Sequence, residues 1–345
     1  MSAQAETLAE TFKNEIIGQP RAVEAFTRVL DKIQSGFYDK TKPIASLLFL
    51  GPTGTGKTAS VEAFTKGMLG GYDKLIRIDC AEFQHSHEIA KLKGSPPGYL
   101  GHRETHPLLT QEALDQYHTD SMKLTVLLFD EIEKASDSLW TLLLGILDKA
   151  SLTLGDNRKV DFSHCVIVMT SNVGSAQLAA KVGDNDSIGY NTPSKPDVPY
   201  DAMAKTALDA ARRKFMPEFI NRLDDTVVFN TLTPDNIKEI FKLEFFKLRV
   251  RMVLNSPVIF DLVVSPAAEA AILVEGYDKR YNARELKRTI EMRISTPVSR
   301  LVATNQILTF DTVVIDYDKD WTYFAKSPTD TRVEDETVSA GRLEV

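Results

Sequence analysis

The stretch from Leu47 to Thr58, LLFLGPTGTGKT, constrains this chain more than any other. Leu47, Leu48, Phe49 and Leu50 form a short apolar run of the kind that makes a strand buried on both faces. The run passes directly into Gly51-Pro52-Thr53-Gly54-Thr55-Gly56-Lys57-Thr58, which fits the spacing G-x-x-x-x-G-K-[ST] at every position. Glycines let the backbone curl so that successive N–H groups face an anion, and the helix that follows adds the positive end of its dipole. Lys57 supplies a point charge for β- and γ-phosphates, and Thr58 supplies a hydroxyl for Mg²⁺. Val61, Phe64 and Met68 then repeat on one face of that helix. A strand before and a helix after separate this motif from an ordinary glycine-rich turn, and together they predict a nucleoside triphosphate site.

A second element complements the first. Val126-Leu127-Leu128-Phe129-Asp130-Glu131 is an apolar strand ending in two acids, the Walker B arrangement. Asp130 is placed to hold Mg²⁺, and Glu131 to orient and activate an attacking water. At the end of the next apolar run, Met169-Thr170-Ser171-Asn172, the amide of Asn172 either contacts the γ-phosphate or water, or caps a helix starting at Val173. Further β-rich segments fall at Lys74 to Asp79, His164 to Thr170 and Thr226 to Asn230, separated by helical or loop sequence. Short apolar strands alternating with helices predict an α/β domain, a parallel sheet covered on both faces.

Past Asn230 the pattern changes. Thr233-Pro234 opens a long helix, a second covers Ala267 to Glu275, and a third begins near Asn282 and is interrupted at Pro297; Thr312 to Asp316 closes as a strand. The expected division is a large nucleotide-binding domain over 1–230, a smaller, mostly helical lid over 231–325, and a disordered tail over 326–345. A net charge of −7 leaves no basic footprint for nucleic acid. No apolar run reaches the length of a bilayer span, and the polar, acidic start MSAQAETLAE argues against a secretory signal. Cys80 and Cys165 lie in apolar segments and read as a reduced, buried pair. The expected location is cytoplasmic. His85, His87, Glu88, His102 and His106 lie close in sequence but fit no metal-ligand spacing, and they read as solvated loop or helix residues.

With these residues in view, the chain resembles an AAA+ ATPase, specifically the second ATPase module of the Clp unfoldases such as ClpA and ClpB. The resemblance runs from residue 14 to about 317. Besides the phosphate loop it is carried by IIGQ (Ile16 to Gln19), GSPPGYLG (Gly94 to Gly101), LLFDEIEKA (Leu127 to Ala135), VDF (Val160 to Phe162), MTSNVGS (Met169 to Ser175), MPEFINRLD (Met216 to Asp224) and YNARELKR (Tyr281 to Arg288). It implies a P-loop NTPase parallel sheet flanked by helices, with a helical lid, and ATP with Mg²⁺ as cofactors. Ile16 and Ile17 resemble the apolar wall against adenine. Arg222 resembles the arginine finger that reaches a neighbouring subunit's γ-phosphate; the residues alone also allow a surface salt bridge with Asp224 or Asp225. Ala283 and Arg284 resemble the second sensor, although Asn282 stands where the family motif usually has glycine; Asn tolerates left-handed geometry best among the other residues.

Gly98-Tyr99-Leu100-Gly101 reads as a loop presenting an aromatic–aliphatic pair between glycines, or else as a surface turn. In the family this loop lines the pore of a hexamer and grips unfolded polypeptide, and aromatic contact suits non-specific grip. Ile188-Gly189-Tyr190 resembles the tripeptide that docks protease-partnered Clp unfoldases onto a peptidase ring. The expectation is therefore a homo-hexameric, ATP-hydrolysing motor acting on polypeptide, with no nucleic-acid or membrane partner. Two rivals share the nucleotide site: a nucleic-acid-loading ATPase, which calls for basic elements, and a nucleotide-dependent assembly switch, which does not need Tyr99.

Overall fold

Period-two alternation along β1 (Ala45–Leu50), buried at every residue, divides the strand between two cores. Leu48 and Leu50 enter one core with Leu127, Phe129, Ile167 and Met169; Leu47 and Phe49 enter the other with Val126, Leu128, Val166 and Val168. This is a computed structural model, and it describes residues 10–95, 107–120, 122–175, 200–277, 282–326 and 341–342. The chain divides into two compact units, Met1–Thr231 and Leu232–Val345.

In the first unit, β1 joins β2 (Ile76–Asp79), β3 (Thr125–Asp130), β6 (Cys165–Ser171) and β7 (Asp225–Val228) in a parallel sheet of order β2-β3-β6-β1-β7. Between β3 and β6 lies a hairpin of β4 (Ser151–Thr153) and β5 (Lys159–Asp161). Leaving β1, the chain passes over the places of β6 and β3 to form β2 at the edge, then works back inward. Such a reversal opens a crevice at the carboxyl ends of the strands. The register brings those ends level: Asp79 lies beside Asp130, Phe129 beside Met169, and Phe49 beside Thr170. That alignment sets Gly51, Asp130 and Asn172 around one crevice.

Helices cover both faces. α1 (Pro20–Ser35) and α2 (Lys57–Leu69) close the Phe49 side, where the rings of Phe26 and Phe64 stack at 4.5 Å and Phe26 meets Phe49 edge-on at 5.5 Å. α3 (Asp137–Lys149) and α4 (Tyr200–Lys214) close the other side, where Trp140 packs edge-on against Phe219 at 4.6 Å. No helix among the described residues is long and apolar enough to cross a membrane.

The second unit is helical with more strand than its sequence suggests. α5 (Pro234–Asn255) starts at a capping box of Thr233 and Asn236, and α6 (Pro266–Glu275) starts at Ser265, whose hydroxyl accepts the Ala268 N–H. α7 (Ala283–Ile290) continues through a π-helical turn, Glu291–Ser295, into α8 (Thr296–Ala303). Pro297 therefore does not break the helix as expected. It sits in the first turn of α8, where a missing N–H costs little and the widened turn before it absorbs the ring. The single expected strand is one of four: β8 (Asp261–Val264), β9 (Thr312–Asp318), β10 (Asp320–Lys326) and β11 (Gly341–Arg342) form a sheet of order β11-β10-β9-β8. β11 corrects the expectation of a wholly disordered tail, because Gly341 and Arg342 pair with Ala325 and Phe324 on the open edge of β10. Phe241, Ile272, Leu286, Ile294, Val313 and Ile315 are buried in this unit's own core.

Phe64 packs against both Phe12 and Phe26 and is fully buried, so Phe64→Ala is expected to cost about 3–5 kcal/mol, read as a lower denaturation midpoint. Phe37→Ala, at a ring 90% exposed, is the control and is expected to change stability by less than about 0.5 kcal/mol.

Candidate active site

The phosphate loop begins against the end of the sheet. Gly51 has φ 151°, and a Cβ there would lie 2.9 Å from Cβ of Phe229 and 3.0 Å from its carbonyl oxygen, so only glycine fits. The loop ends at Gly56, φ 98°, which starts α2 at Lys57. Inside the loop, the buried Thr55 hydroxyl donates to the Pro52 carbonyl at 2.8 Å. Lys57 is buried, and its Nζ donates to the carbonyls of Gly51 at 2.7 Å and Pro52 at 2.9 Å, and to Oδ1 of Asn172 at 2.9 Å.

Asn172 completes a bridge. Its Nδ2 donates to Oε1 of Glu131 at 3.3 Å, so one amide touches both the phosphate-loop lysine and the second acid of β3. Both amide atoms of Asn172 are engaged in this bridge, which leaves the alternative of a helix cap at Val173 without its side chain. Glu131 itself leaves β3 in the left-handed region, φ 56° and ψ 48°, a conformation that costs a non-glycine residue on the order of 1–2 kcal/mol. Its N–H donates to Thr170 Oγ1 at 3.1 Å, and Thr170 in turn donates to Asp130. The turn is thus fixed by the neighbouring strand and carries the Glu131 carboxylate toward Asn172.

Three residues that the sequence reading left out hold the acids. Thr170 is the last buried hydroxyl before the β6 terminus. Arg77, on β2, donates through Nη2 to Asp130 at 2.6 Å. Lys134, one turn on, pairs with Oε2 of Glu131, and this hydrogen bond raises the Lys134 pKa. Only the alternation of LIRID, which puts Arg77 on the same face as Asp79, hinted at the second of these. The Thr58 hydroxyl faces both oxygens of Asp130 at 3.4 Å. A hydroxyl opposite a carboxylate is a hard-oxygen donor pair suited to Mg²⁺.

Ile16 is buried in the core beside Phe12, and Ile17 is half-buried. Gln19, given no role by the sequence reading, is 3% exposed, and its side chain makes three hydrogen bonds. Its Nε2 donates to the carbonyls of Thr55 at 3.1 Å and Asn230 at 2.9 Å, and its Oε1 accepts the Asn230 N–H at 2.8 Å.

Arg222 pairs within its own chain with Asp148 and Glu218, each at 2.8 Å, and donates to the Leu144 carbonyl at 3.3 Å. The carboxylates offered as its salt-bridge partners are engaged elsewhere. Asp224 accepts from the Ser46 N–H and hydroxyl at its Oδ2, and Asp225 pairs with Arg28. In the second unit, Ala283 is buried in the core and Arg284 is exposed on the first turn of α7. Asn282 adopts φ 49°, ψ −133°, which is not the left-handed helical geometry expected of it but a region suited to glycine. Its Oδ1 accepts the Leu232 N–H at 3.2 Å, a bond that glycine could not make. Gly98, Tyr99, Leu100, Gly101, Ile188, Gly189 and Tyr190 lie outside the described residues.

A family model for the AAA domain, Cdc48 subfamily, matches residues 42–226, a span that holds the phosphate loop, Asp130, Glu131, Asn172 and Arg222. The chain belongs to the AAA domain family. A model for the C-terminal, D2-small domain of ClpB protein matches residues 232–315 of the second unit. This AAA module is 37% identical over 311 residues to the ATP-binding subunit ClpC of the ATP-dependent Clp protease from Staphylococcus epidermidis, covering 90% of this chain and 36% of that protein. Against ClpC of Staphylococcus saprophyticus it is 36% identical over 331 residues, covering 96% and 38%. It also superposes on Hsp104, solved in a closed state with ATPγS and FITC casein, with a TM-score of 0.76 and 28% identity, covering 94% of this chain and 52% of that one. The chain therefore spans little more than a third of the length of the ClpC relatives it matches. In sequence and fold the chain is thus similar to part of ClpC and of Hsp104, and its second unit to the C-terminal small domain of ClpB.

Asn172→Ala severs the amide bridge from Lys57 to Glu131 without touching the loop glycines. ATP turnover is expected to fall about 100-fold while nucleotide affinity stays within about threefold, as measured by steady-state hydrolysis and equilibrium titration.

Proposed function

We propose that this AAA module hydrolyses ATP and uses the energy, as part of a ring, to unfold or translocate polypeptide. The amide of Asn172 between Lys57 and Glu131 carries the reading, because it links the group that meets the γ-phosphate to the group that meets water. Lys57 and the loop N–H groups hold the phosphates. Thr58 and Asp130 would hold Mg²⁺, which neutralises charge on the β- and γ-phosphates when bound. Glu131, kept off its strand by the left-handed turn, accepts a proton from the attacking water. Ile17 offers apolar surface to adenine, and Arg284 senses the γ-phosphate.

Arg222 serves the site of a neighbouring copy. It lies on the corner after α4, where its side chain meets Asp148, Glu218 and the Leu144 carbonyl, none of them a phosphate-loop residue. An arginine finger contributes on the order of 10³–10⁵ in turnover, so its supply in trans would make hydrolysis depend on assembly. The likeness to ClpC and Hsp104 supports a hexameric ring with polypeptide substrates, gripped by Tyr99 and Leu100, and a cytoplasmic setting. Ile188-Gly189-Tyr190 is offered as the contact to a peptidase ring.

Glu131→Gln is expected to retain ATP binding and lose turnover by at least about 100-fold, whereas Lys57→Ala loses binding. Mixing inactive Arg222→Ala with inactive Lys57→Ala chains should restore hydrolysis, since each supplies what the other lacks; normal turnover by Arg222→Ala alone would remove the trans role. Tyr99→Ala touches no nucleotide ligand and is expected to keep basal hydrolysis while losing ATP-dependent unfolding of a tagged fluorescent protein. Tyr99→Phe should keep most of that unfolding, because the ring provides the contact area. Unfolding by Tyr99→Ala at the wild-type rate would replace threading with the assembly-switch reading.

A further inference from the structure

The single helical turn Ala90–Lys93 ends just before the sequence that carries Tyr99, and its last three carbonyls have no partner within the turn. Two of them accept from the far end of that sequence. The Leu108 N–H donates to the Lys91 carbonyl at 2.9 Å, and the Leu109 N–H to the Leu92 carbonyl at 3.1 Å. The third, on Lys93, accepts the Gly155 N–H at 2.7 Å, from the turn of the β4–β5 hairpin. The approach there is close. A Cβ on Gly155 would lie 2.8 Å from the Gly94 carbonyl oxygen and 2.8 Å from both the carbonyl carbon and oxygen of Ser95, all of them backbone atoms. A side chain at 155 therefore requires the chain leading to Tyr99 to move. The hairpin also reaches the other end of the same sequence, where Oε1 of Gln111 accepts the Asp161 N–H at 2.8 Å.

We propose that the hairpin is a clamp on the base of the Tyr99 segment, with Gly155 as its positioning residue. The inference rests on the reading of Tyr99 as a grip on polypeptide. A residue that pulls on a chain must pass the load to the folded domain, and two backbone hydrogen bonds alone would close the base against it. The hairpin adds a third point that does not travel with either end. Leu154 and Val160 are buried in the same core as Leu127 and Phe129, so the hairpin is rooted in the sheet. Its turn is closed from within: the Leu154 N–H donates to the Arg158 carbonyl at 2.8 Å, and the Asp156 carboxylate accepts the Arg158 N–H at 3.0 Å and its Nε at 2.7 Å. A closed turn on a buried root is stiff, which suits a part that holds another in place. The segment that Gly155 meets, Lys93 to Ser95, contains no residue of the nucleotide site, so the clamp acts on grip and not on hydrolysis.

The test is a double-mutant cycle on the full chain between Gly155→Ala and Tyr99→Ala, read as affinity for fluorescein-labelled casein in the presence of ATPγS. Gly155→Ala is expected to weaken casein binding about fivefold, and the double variant to bind no more weakly than Tyr99→Ala alone, because Gly155 acts through Tyr99. Basal ATP hydrolysis by Gly155→Ala should stay within about twofold of the wild type. Amide exchange at Leu108 and Leu109 should quicken about tenfold, while Leu48 and Val168 stay protected. A glycine needed only for stability predicts faster exchange throughout the sheet and losses that multiply in the cycle; either result, or casein binding by Gly155→Ala equal to the wild type, overturns the clamp. If Gly155→Ala does not fold, Gln111→Ala takes its place in the same cycle, since it removes the acceptor of the Asp161 N–H at the other end of the segment. A loss of about threefold that vanishes in the Tyr99→Ala background supports the clamp, and no loss or a multiplicative one overturns it. Casein binding by Tyr99→Ala equal to the wild type would instead remove the polypeptide-grip reading, and this inference with it.

Discussion

The ammonium of Lys57 is the charge on which the site depends. It is buried at the N-terminus of α2, where the helix dipole is already positive and no acidic residue stands in the first turn. A cation in that position is disfavoured unless oxygen atoms surround it, and the structure supplies the carbonyls of Gly51 and Pro52 and the amide oxygen of Asn172. These are neutral acceptors. They solvate the ammonium without cancelling its charge, so the pocket keeps a positive potential for an anion. A carboxylate in place of Asn172 would neutralise that potential and compete with phosphate.

The acids are kept apart from this positive end by geometry, not by distance alone. Asp79, Asp130, Glu131 and Glu133 crowd the carboxyl ends of β2 and β3, and their mutual repulsion needs an answer. Arg77 answers for Asp130 and Lys134 for Glu131, while Asn172 reaches Glu131 through a neutral N–H. The same acids, with burial first, push the Cys80 thiol well above its ordinary range, which keeps it an inert core residue next to a reactive site. The consequence is a gradient from cation to acid across β1, β6 and β3, with one asparagine at its centre. Parallel register makes the gradient possible, since a slip of one residue would exchange every core side chain with the opposite face.

What could be read from the sequence was whatever obeys local rules. The apolar strands, the phosphate loop and the acids after β3 are each set by neighbours in the chain, and Thr233 and Ser265 announce their helices in the same way. Apart from Lys134, which pairs three residues back with Glu131, the missed side-chain contacts are long-range. Gln19 lies 211 residues from Asn230, Arg77 53 from Asp130, and Arg222 is met by Asp148 from another helix. No periodicity records such pairs. Pro297 was misjudged because a helix can widen to a π turn and admit proline, and β8, β10 and β11 were overlooked because β-disfavouring Asp, Lys and Gly stand at their ends and pairing with neighbouring strands is what stabilises them. Asn282 was read by propensity alone, where the deciding fact is a hydrogen bond to a backbone 50 positions away.

Arg222 shows why a residue can serve another chain and still be held in its own. Its side chain is one-quarter exposed, and its partners Asp148 and Glu218 are more exposed still, at 37% and 61%. Exposed ion pairs of this kind contribute about 0–1 kcal/mol each, because water solvates both charges nearly as well as they solvate each other. They are strong enough to restrict the guanidinium to one side of the corner after α4, which limits the entropy lost when it is captured. They are also weak enough to be exchanged for a phosphate, whose doubly charged oxygens in a water-poor site bind a guanidinium more tightly. Glu218 sits one turn before Arg222 and so moves with it, whereas Asp148 belongs to α3, the helix that follows the Glu131 turn. The finger proposed to act on a neighbour's nucleotide is thereby tied, through one exchangeable ion pair, to the element leading out of its own chain's site.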